Sequence, residues 1–287
     1  MIDPRTRSGI LDLVQNRGLG PYKPLGQHFL VNLAMIQRIV DLLPQGSRQA
    51  VEIGPGPGGL TLTLLEQDWR VVAIELDHRW VRFLSETWGK QFYGRLSVVE
   101  ADALALNWAA LPQQFGLAAP LTFIGNLPYY ITGPLLAKFA GESVPWHTAV
   151  VMVQKEVADR LTTPPGSRQS NALGVILRYN ATIEREFTIA PSHFYPVPEV
   201  DSAVIKLTHG TQLPVGFPEF HWVVHSGFTH RRKMLRQALA IGENSPYPAE
   251  QWESLMRGVG LNPTARAENL TIEEWVVLAR LLPSQTR

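Results

Sequence analysis

Five short runs rich in valine, isoleucine and leucine, separated by stretches of helical character, constrain this chain more than any other feature. They are Ala50 to Gly54, Arg70 to Leu76, Leu96 to Asp102, Leu121 to Leu127 and Thr148 to Gln154. Their apolar character is continuous rather than alternating, which suits parallel strands covered on both faces. Leu60 to Gln67, His78 to Thr87 and Pro134 to Phe139 read as the crossover helices that parallel pairing requires. The expected fold is therefore α/β, a Rossmann-like, doubly wound and mostly parallel sheet. Val175 to Ile189 and Ser202 to Thr208 follow as strand-like runs with no room for a full helix between them, so an antiparallel pair is expected to close one sheet edge. Thr208 to Glu219 reads as a linker, and beyond it Phe220 to Ala240, Ala249 to Gly258 and Thr271 to Leu282 carry helical patterns. The sequence thus predicts a loose N-terminal arm over 1–24, a sheet domain over 25–210 and a small all-α domain over 211–287.

Composition narrows the function more than the fold. None of the 287 residues is cysteine, which excludes disulfides, thiolate metal sites and a cysteine nucleophile together. No apolar run approaches the ~20 residues needed to cross a bilayer, so no membrane role is expected. No second histidine stands at ligand spacing from His28, and no metal is expected. A net charge of +1 decides nothing about nucleic acid, but its distribution does. From His221 to Ile241 stand Arg231, Arg232, Lys233 and Arg236 with no acid among them. Such a cluster is by default a solvated helix face; its alternative is a grip on phosphates that positions a nucleic acid without reading its sequence.

The chemistry-bearing residues fall at the ends of the predicted strands. Val51-Glu-Ile-Gly-Pro-Gly-Pro-Gly-Gly59 follows the first strand and opens a helix. Gly54 and Gly56 remove the Cβ atoms that would keep a ligand from the carboxyl end of the sheet, and they permit positive φ angles. The motif alone fits a nicotinamide dinucleotide as well as S-adenosylmethionine, and a ligand-free turn competes with both. Glu75 ends the second strand, where a carboxylate can accept from both ribose hydroxyls. Asp102 ends the third in Glu-Ala-Asp-Ala, suited to an adenine amine, and the fourth ends in Asn126-Leu127-Pro128-Tyr129. Four features in order at four consecutive strand ends favour S-adenosylmethionine.

The Asn-Leu-Pro-Tyr corner suits a particular problem. The exocyclic amine of adenine is a poor nucleophile because its lone pair is delocalised into the ring. Acceptors on its two hydrogens help localise that pair, and the Asn126 side-chain oxygen with the Leu127 carbonyl can supply them. Pro128 lacks an N–H and has a fixed φ, which stiffens the turn. Tyr129 offers a face for a base removed from its stack, worth roughly 1–3 kcal/mol. Transfer needs orientation rather than a strong base.

From about Tyr22 onward the sequence resembles the ribosomal RNA adenine dimethyltransferase family, and within it the small-subunit enzymes. The resemblance is carried by Leu25-Gly-Gln-His-Phe-Leu30, EIGPGPGG, Ala73-Ile-Glu-Leu-Asp77, EADAL, GNLPYYIT, Val153-Gln-Lys-Glu-Val157, Phe194-Tyr-Pro-Val-Pro-Glu-Val-Asp-Ser-Ala203, Phe228-Thr-His-Arg-Arg-Lys233 and Arg266-Ala-Glu-Asn-Leu270. Tyr130 stands where the family usually has Asn, and His230 where it often has Gln. The resemblance implies a class I methyltransferase sheet, cofactor contacts from His28 and Leu30 beside Gly54, Gly56, Glu75, Asp102 and Asn126, and Phe194 facing Tyr129 across the target base. It implies dimethylation of two adjacent adenines in a hairpin near the 3′ end of small-subunit (16S) rRNA, with S-adenosylmethionine as donor. The implied partner is the immature small ribosomal subunit, engaged by Lys155, Arg231, Arg232, Lys233 and Arg236, and the implied state is a cytoplasmic monomer. Alternatives remain: the antibiotic-resistance branch acting on large-subunit rRNA, a non-catalytic RNA-binding assembly factor, and a nicotinamide oxidoreductase. The last lacks an identifiable proton donor and substrate clamp.

Overall fold

A computed structural model describes residues 2–22, 25–128, 131–141, 145–210 and 212–283. The chain runs α1 (Arg7–Arg17), β1 (Phe29–Leu30), α2 (Leu33–Val40), β2 (Gln49–Ile53), α3 (Gly59–Glu66), β3 (Arg70–Glu75), α4 (His78–Leu84), β4 (Leu96–Glu100), α5 (Leu111–Phe115), β5 (Leu121–Asn126), α6 (Thr132–Gly141) and β6 (Trp146–Gln154). There follow α7 (Lys155–Thr162), α8 (Ala172–Leu177), β7 (Ala181–Ile189), β8 (Phe194–Tyr195), β9 (Ser202–His209), α9 (Phe217–Thr229), α10 (Leu235–Ala240), α11 (Ala249–Gly258) and α12 (Ile272–Ala279). Two compact units result, one of residues 1–158 and 184–209, the other of residues 159–183 and 210–287.

In the first unit seven strands form one sheet in the order β4-β3-β2-β5-β6-β9-β7. The five expected runs are its five parallel strands, all ending at one edge. β9 pairs antiparallel with β6, from Thr148 opposite Thr208 to Gln154 opposite Ser202, so the sheet is mostly parallel with an antiparallel edge. Helix starts are set by local chemistry: Asn32 accepts from Met35 N above α2, and Asp77 accepts from Arg79 N above α4. The faces are filled with large rings, Trp80 and Trp88 in one cluster and Trp108, Phe123, Phe139 and Trp146 in another, all wholly buried or nearly so.

Several sequence expectations are corrected. The N-terminal arm is not loose: residues 7–17 are the helix α1, whose Ile10 and Leu13 are wholly buried in the core of the first unit. Arg5, just before it, forms an ion pair with Glu66 at the end of α3. Val175 to Leu177 belong to α8, because Asn171 caps a helix there by accepting from Gly174 N at 2.9 Å; the strand begins only at Ala181. Nor is the sheet domain one continuous span over 25–210, since residues 159–183 group with the helical unit.

Within that unit, the run Phe220 to Ala240 is not one helix. α9 ends at Thr229 and α10 begins at Leu235, whose N–H donates to Ala265 O at 2.7 Å, so a tertiary contact replaces helical continuity. Arg231, Arg232 and Lys233 therefore stand in a turn between helices, not on a helix face. α12 is started by a reciprocal cap in which Thr271 and Glu274 satisfy each other's backbone N–H groups. No helix among the described residues is long and apolar enough to cross a membrane.

Candidate active site

The carboxyl ends of β2, β3, β4 and β5 open into a cleft lined by Gly54, Gly56, Glu75, Asp102 and Asn126. Gly54 leaves β2 at φ +68°, and a Cβ there would lie 3.7 Å from the Asn126 carbonyl and from the Pro128 ring. Gly56 follows at φ +53°, where a Cβ would press on the Phe29 ring at 3.0 Å. Backbone shape calls for glycine at both positions, and at Gly56 the close Phe29 ring does so as well. Gly58, at φ +85°, starts α3 against Trp88.

Glu75 is nearly buried, yet it lines this cleft. Its Oε2 accepts from Gly56 N at 2.9 Å, and its Oε1 accepts from Leu76 N at 2.8 Å and Asp77 N at 2.9 Å. Three backbone donors fix the carboxylate and tie β3 to the glycine loop. Burial raises its pKa against the pull of those donors. Asp102, exposed at the far wall, uses Oδ1 to accept from Leu104 N at 2.8 Å, which leaves Oδ2 unused among the described residues.

Asn126 decides the chemistry of the fourth strand end. Its Nδ2 donates to the His28 carbonyl at 2.7 Å. A carbonyl only accepts, so the amide nitrogen must face it and Oδ1 remains as the outward acceptor. Leu127 N donates to Met152 O at 3.1 Å, continuing the sheet, while the Leu127 carbonyl accepts from no described residue. The Pro128 carbonyl takes bonds from Ile131 N and Thr132 Oγ1, which closes the turn. Tyr129 and Tyr130 lie outside the described residues. His28 is itself held, with Nδ1 donating to Pro196 O at 2.9 Å.

With this geometry in view, the family comparison is decisive: the description of the ribosomal RNA adenine dimethylase family matches residues 22–283. The chain belongs to that family. Ribosomal RNA small subunit methyltransferase A of Bacillus thuringiensis (strain Al Hakam) is 36% identical over 288 residues, spanning 98% of both chains. The protein of the same name from Bacillus anthracis (strain A0248) matches equally. The crystal structure of a dimethyladenosine transferase from Plasmodium falciparum superposes with a TM-score of 0.70 at 21% identity, covering 86% of this chain and 94% of that one. That of the 23S rRNA methyltransferase ErmE gives 0.63 at 24%, covering 88% and 98%. Both establish the class I methyltransferase fold.

This rRNA adenine dimethylase uses S-adenosylmethionine, and the cleft fits it. The glycine cradle lets backbone approach a ligand. Glu75 and Asp102 place acceptors at two points along the cleft, and Leu76, Ala103 and Ile131 offer apolar wall between them. Leu76, 48% exposed, is part of that apolar wall.

Not every expected residue reaches the cleft. Leu30 is buried behind the glycine loop, lining a smaller cavity with Glu52 and Met152. Phe194 pairs with Leu30 across β1 and β8 and is wholly buried in the core, not set in the cleft wall. Lys155 opens α7, half-buried, and its N–H donates to Asp201 O. Arg236 is half-buried and paired with Glu253, so it is a structural ion pair rather than a free cation.

Sequence reasoning missed Gln27, Asp77 and Glu52. Gln27 Oε1 accepts from Tyr22 N and Trp80 Nε1, and its Nε2 donates to Asp77 Oδ2 at 3.3 Å. This joins the segment before β1 to the wall at β3. Burial pushes the Asp77 carboxyl up, but hydrogen bonds from Arg79 outweigh it and hold it below the usual range. Glu52, wholly buried, accepts from Thr61 Oγ1 at 2.6 Å, and burial pushes its pKa up to about 8. The alternation of a charged residue inside an apolar strand was the available signal for Glu52.

Proposed function

We propose that this methyltransferase dimethylates the N6 amines of two adjacent adenines in the 3′-terminal hairpin loop of small-subunit rRNA. It does so as a cytoplasmic monomer acting on the immature small subunit. The observation that carries this reading is the Asn126 amide, turned by the His28 carbonyl so that Oδ1 stands as an acceptor next to the Leu127 carbonyl, which accepts from no described residue. The full-length relatives named for the small subunit support the choice of RNA.

S-adenosylmethionine supplies an electrophilic methyl group on a sulfonium. Glu75, its carboxylate already aligned by three N–H groups, would hold the ribose hydroxyls, and Asp102 would accept from the cofactor's adenine amine. Asn126 Oδ1 and Leu127 O would accept from the target amine and hold its lone pair on nitrogen, available to the methyl group that the sulfonium gives up in becoming a neutral thioether. Tyr129 supplies an aromatic ring on which an extruded base can stack, and loop bases cost little to extrude. Because the network fixing Asn126 and Glu75 is formed in the protein alone, little reorganisation remains for the reaction itself. The proton released by the methylated amine passes to water, since no group here needs to be a strong base.

Purified protein assayed on immature small subunits and on large-subunit rRNA tests the proposal. Methylation of small-subunit adenines is expected. Activity on large-subunit rRNA alone overturns it, as does unchanged mass-spectrometric adenine methylation in small-subunit rRNA from cells lacking the protein.

A further inference from the structure

In the helical unit, residues 163–171 form a folded loop. Ser170 N donates to Ser167 O at 2.8 Å, Ser167 Oγ donates to Pro164 O at 2.9 Å, and Asn171 Nδ2 donates to Arg160 O at 2.6 Å. Gly166 takes φ +84°, with a Cβ position 3.5 Å from Thr271 at the start of α12. The loop holds Arg168 exposed, with no ion-pair partner among the described residues. Its outer anchor is Arg231, whose guanidinium donates from one terminal nitrogen to the Arg168 carbonyl at 2.6 Å and from Nε to Glu268 at 2.6 Å. Arg231 is 48% exposed on its side chain, yet two of its three nitrogens are already engaged within the unit. Arg232 and Lys233, next in the chain, are exposed and have no ion-pair partner among the described residues.

We infer that Arg231 is a positioning residue that brings Arg168 beside Arg232 and Lys233, and that these three form the grip on RNA phosphates. A planar guanidinium can hold a carboxylate and a carbonyl in fixed directions at once, which a lysine cannot do in the same geometry. Glu268, cancelled by Arg231, subtracts nothing further from the local charge. What remains is three cations from two separate segments, without an ion-pair partner among the described residues and complementary to a polyanionic backbone. The inference rests on the rRNA substrate proposed above and adds to it a contact residue, Arg168, far in sequence from the Arg-Arg-Lys run.

The test is binding of a synthetic RNA carrying the small-subunit 3′-terminal hairpin across a potassium chloride series, together with KM for RNA and affinity for S-adenosylmethionine. Arg168→Ala is expected to reduce the salt slope by about 0.7–0.9 and raise KM for RNA while cofactor affinity holds. Glu268→Ala separates the two accounts by sign: loss of an acid near the grip alone tightens binding, whereas loss of the brace weakens it and adds little on top of Arg168→Ala. Arg231→Lys keeps the charge and should weaken binding in the same way, which serves if Glu268→Ala lowers the melting temperature below the assay range. An unchanged slope in Arg168→Ala, or tighter binding in Glu268→Ala, overturns the inference. A parent protein that ignores this hairpin but methylates large-subunit rRNA overturns the substrate instead, and the same comparison then runs on that RNA; a parent that binds neither RNA overturns both.

Discussion

At Asn126 an amide does two jobs that no other side chain of its size can combine. It donates to the His28 carbonyl through Nδ2 and so presents Oδ1. Asn126→Asp keeps an acceptor oxygen but cannot donate to His28, so kcat is expected to fall at least about 100-fold, the range lost with one preorganised polar contact; single-turnover methylation measures it. Glu75→Ala removes the acceptor for three N–H groups and for the ribose hydroxyls. Cofactor affinity should drop at least about 100-fold, from two charged hydrogen bonds worth roughly 1.5–3 kcal/mol each, with RNA binding retained; calorimetric titration checks both. Glu52 makes a third case. Its folded pKa, about 8, lies above its ordinary value of 4.5 because of burial. The folded protein therefore keeps a proton that the unfolded chain releases, and stability falls as pH rises from about 4.5 through about 8. Glu52→Gln should flatten that fall and raise Tm more at the alkaline end of the window than at the acid end, as melts across that range would show.

The elements around the cleft explain what could and could not be read ahead of the structure. Strand runs such as Val71 to Ile74 announce themselves by unbroken apolar character, and Glu75, Asp102 and Asn126 by ending them. Asn126's orientation could not be read, because it depends on His28, a residue far away in the chain. Nor could α1: its eleven residues carry a weak apolar stripe, and only Ile10 and Leu13 point inward. Leu13→Ala should cost about 2–5 kcal/mol in denaturant melts if that helix is core, and nearly nothing if it were a loose arm. The cationic run misled for a similar reason. Its helical periodicity continues through Thr229 to Leu235, but Leu235 is held by Ala265 and the helix breaks. Gly58 shows an element held by one missing methyl group. A Cβ there would stand 2.1 Å from the Trp88 ring at φ +85°, whereas at Gly94, φ +78°, nothing lies within 4 Å. Gly58→Ala should therefore cost roughly 2–4 kcal/mol, through both backbone strain and overpacking, against about 1–2 kcal/mol for Gly94→Ala; paired chemical denaturation distinguishes them.

Over the whole molecule, each unit is assembled from two stretches of chain: residues 159–183 leave the first unit before its sheet is finished, and residues 184–209 return to finish it. This is why a boundary drawn at a proline- and glycine-rich linker found only one of three crossings; the others pass through ordinary helix and strand. The sheet order carries a cost during synthesis. β6 ends at Gln154, but its neighbour β9 begins only at Ser202. Until the ribosome has delivered that later strand, the nascent chain presents the open rim of Val150, Val151 and Val153, an invitation to mispairing that the mature fold never displays.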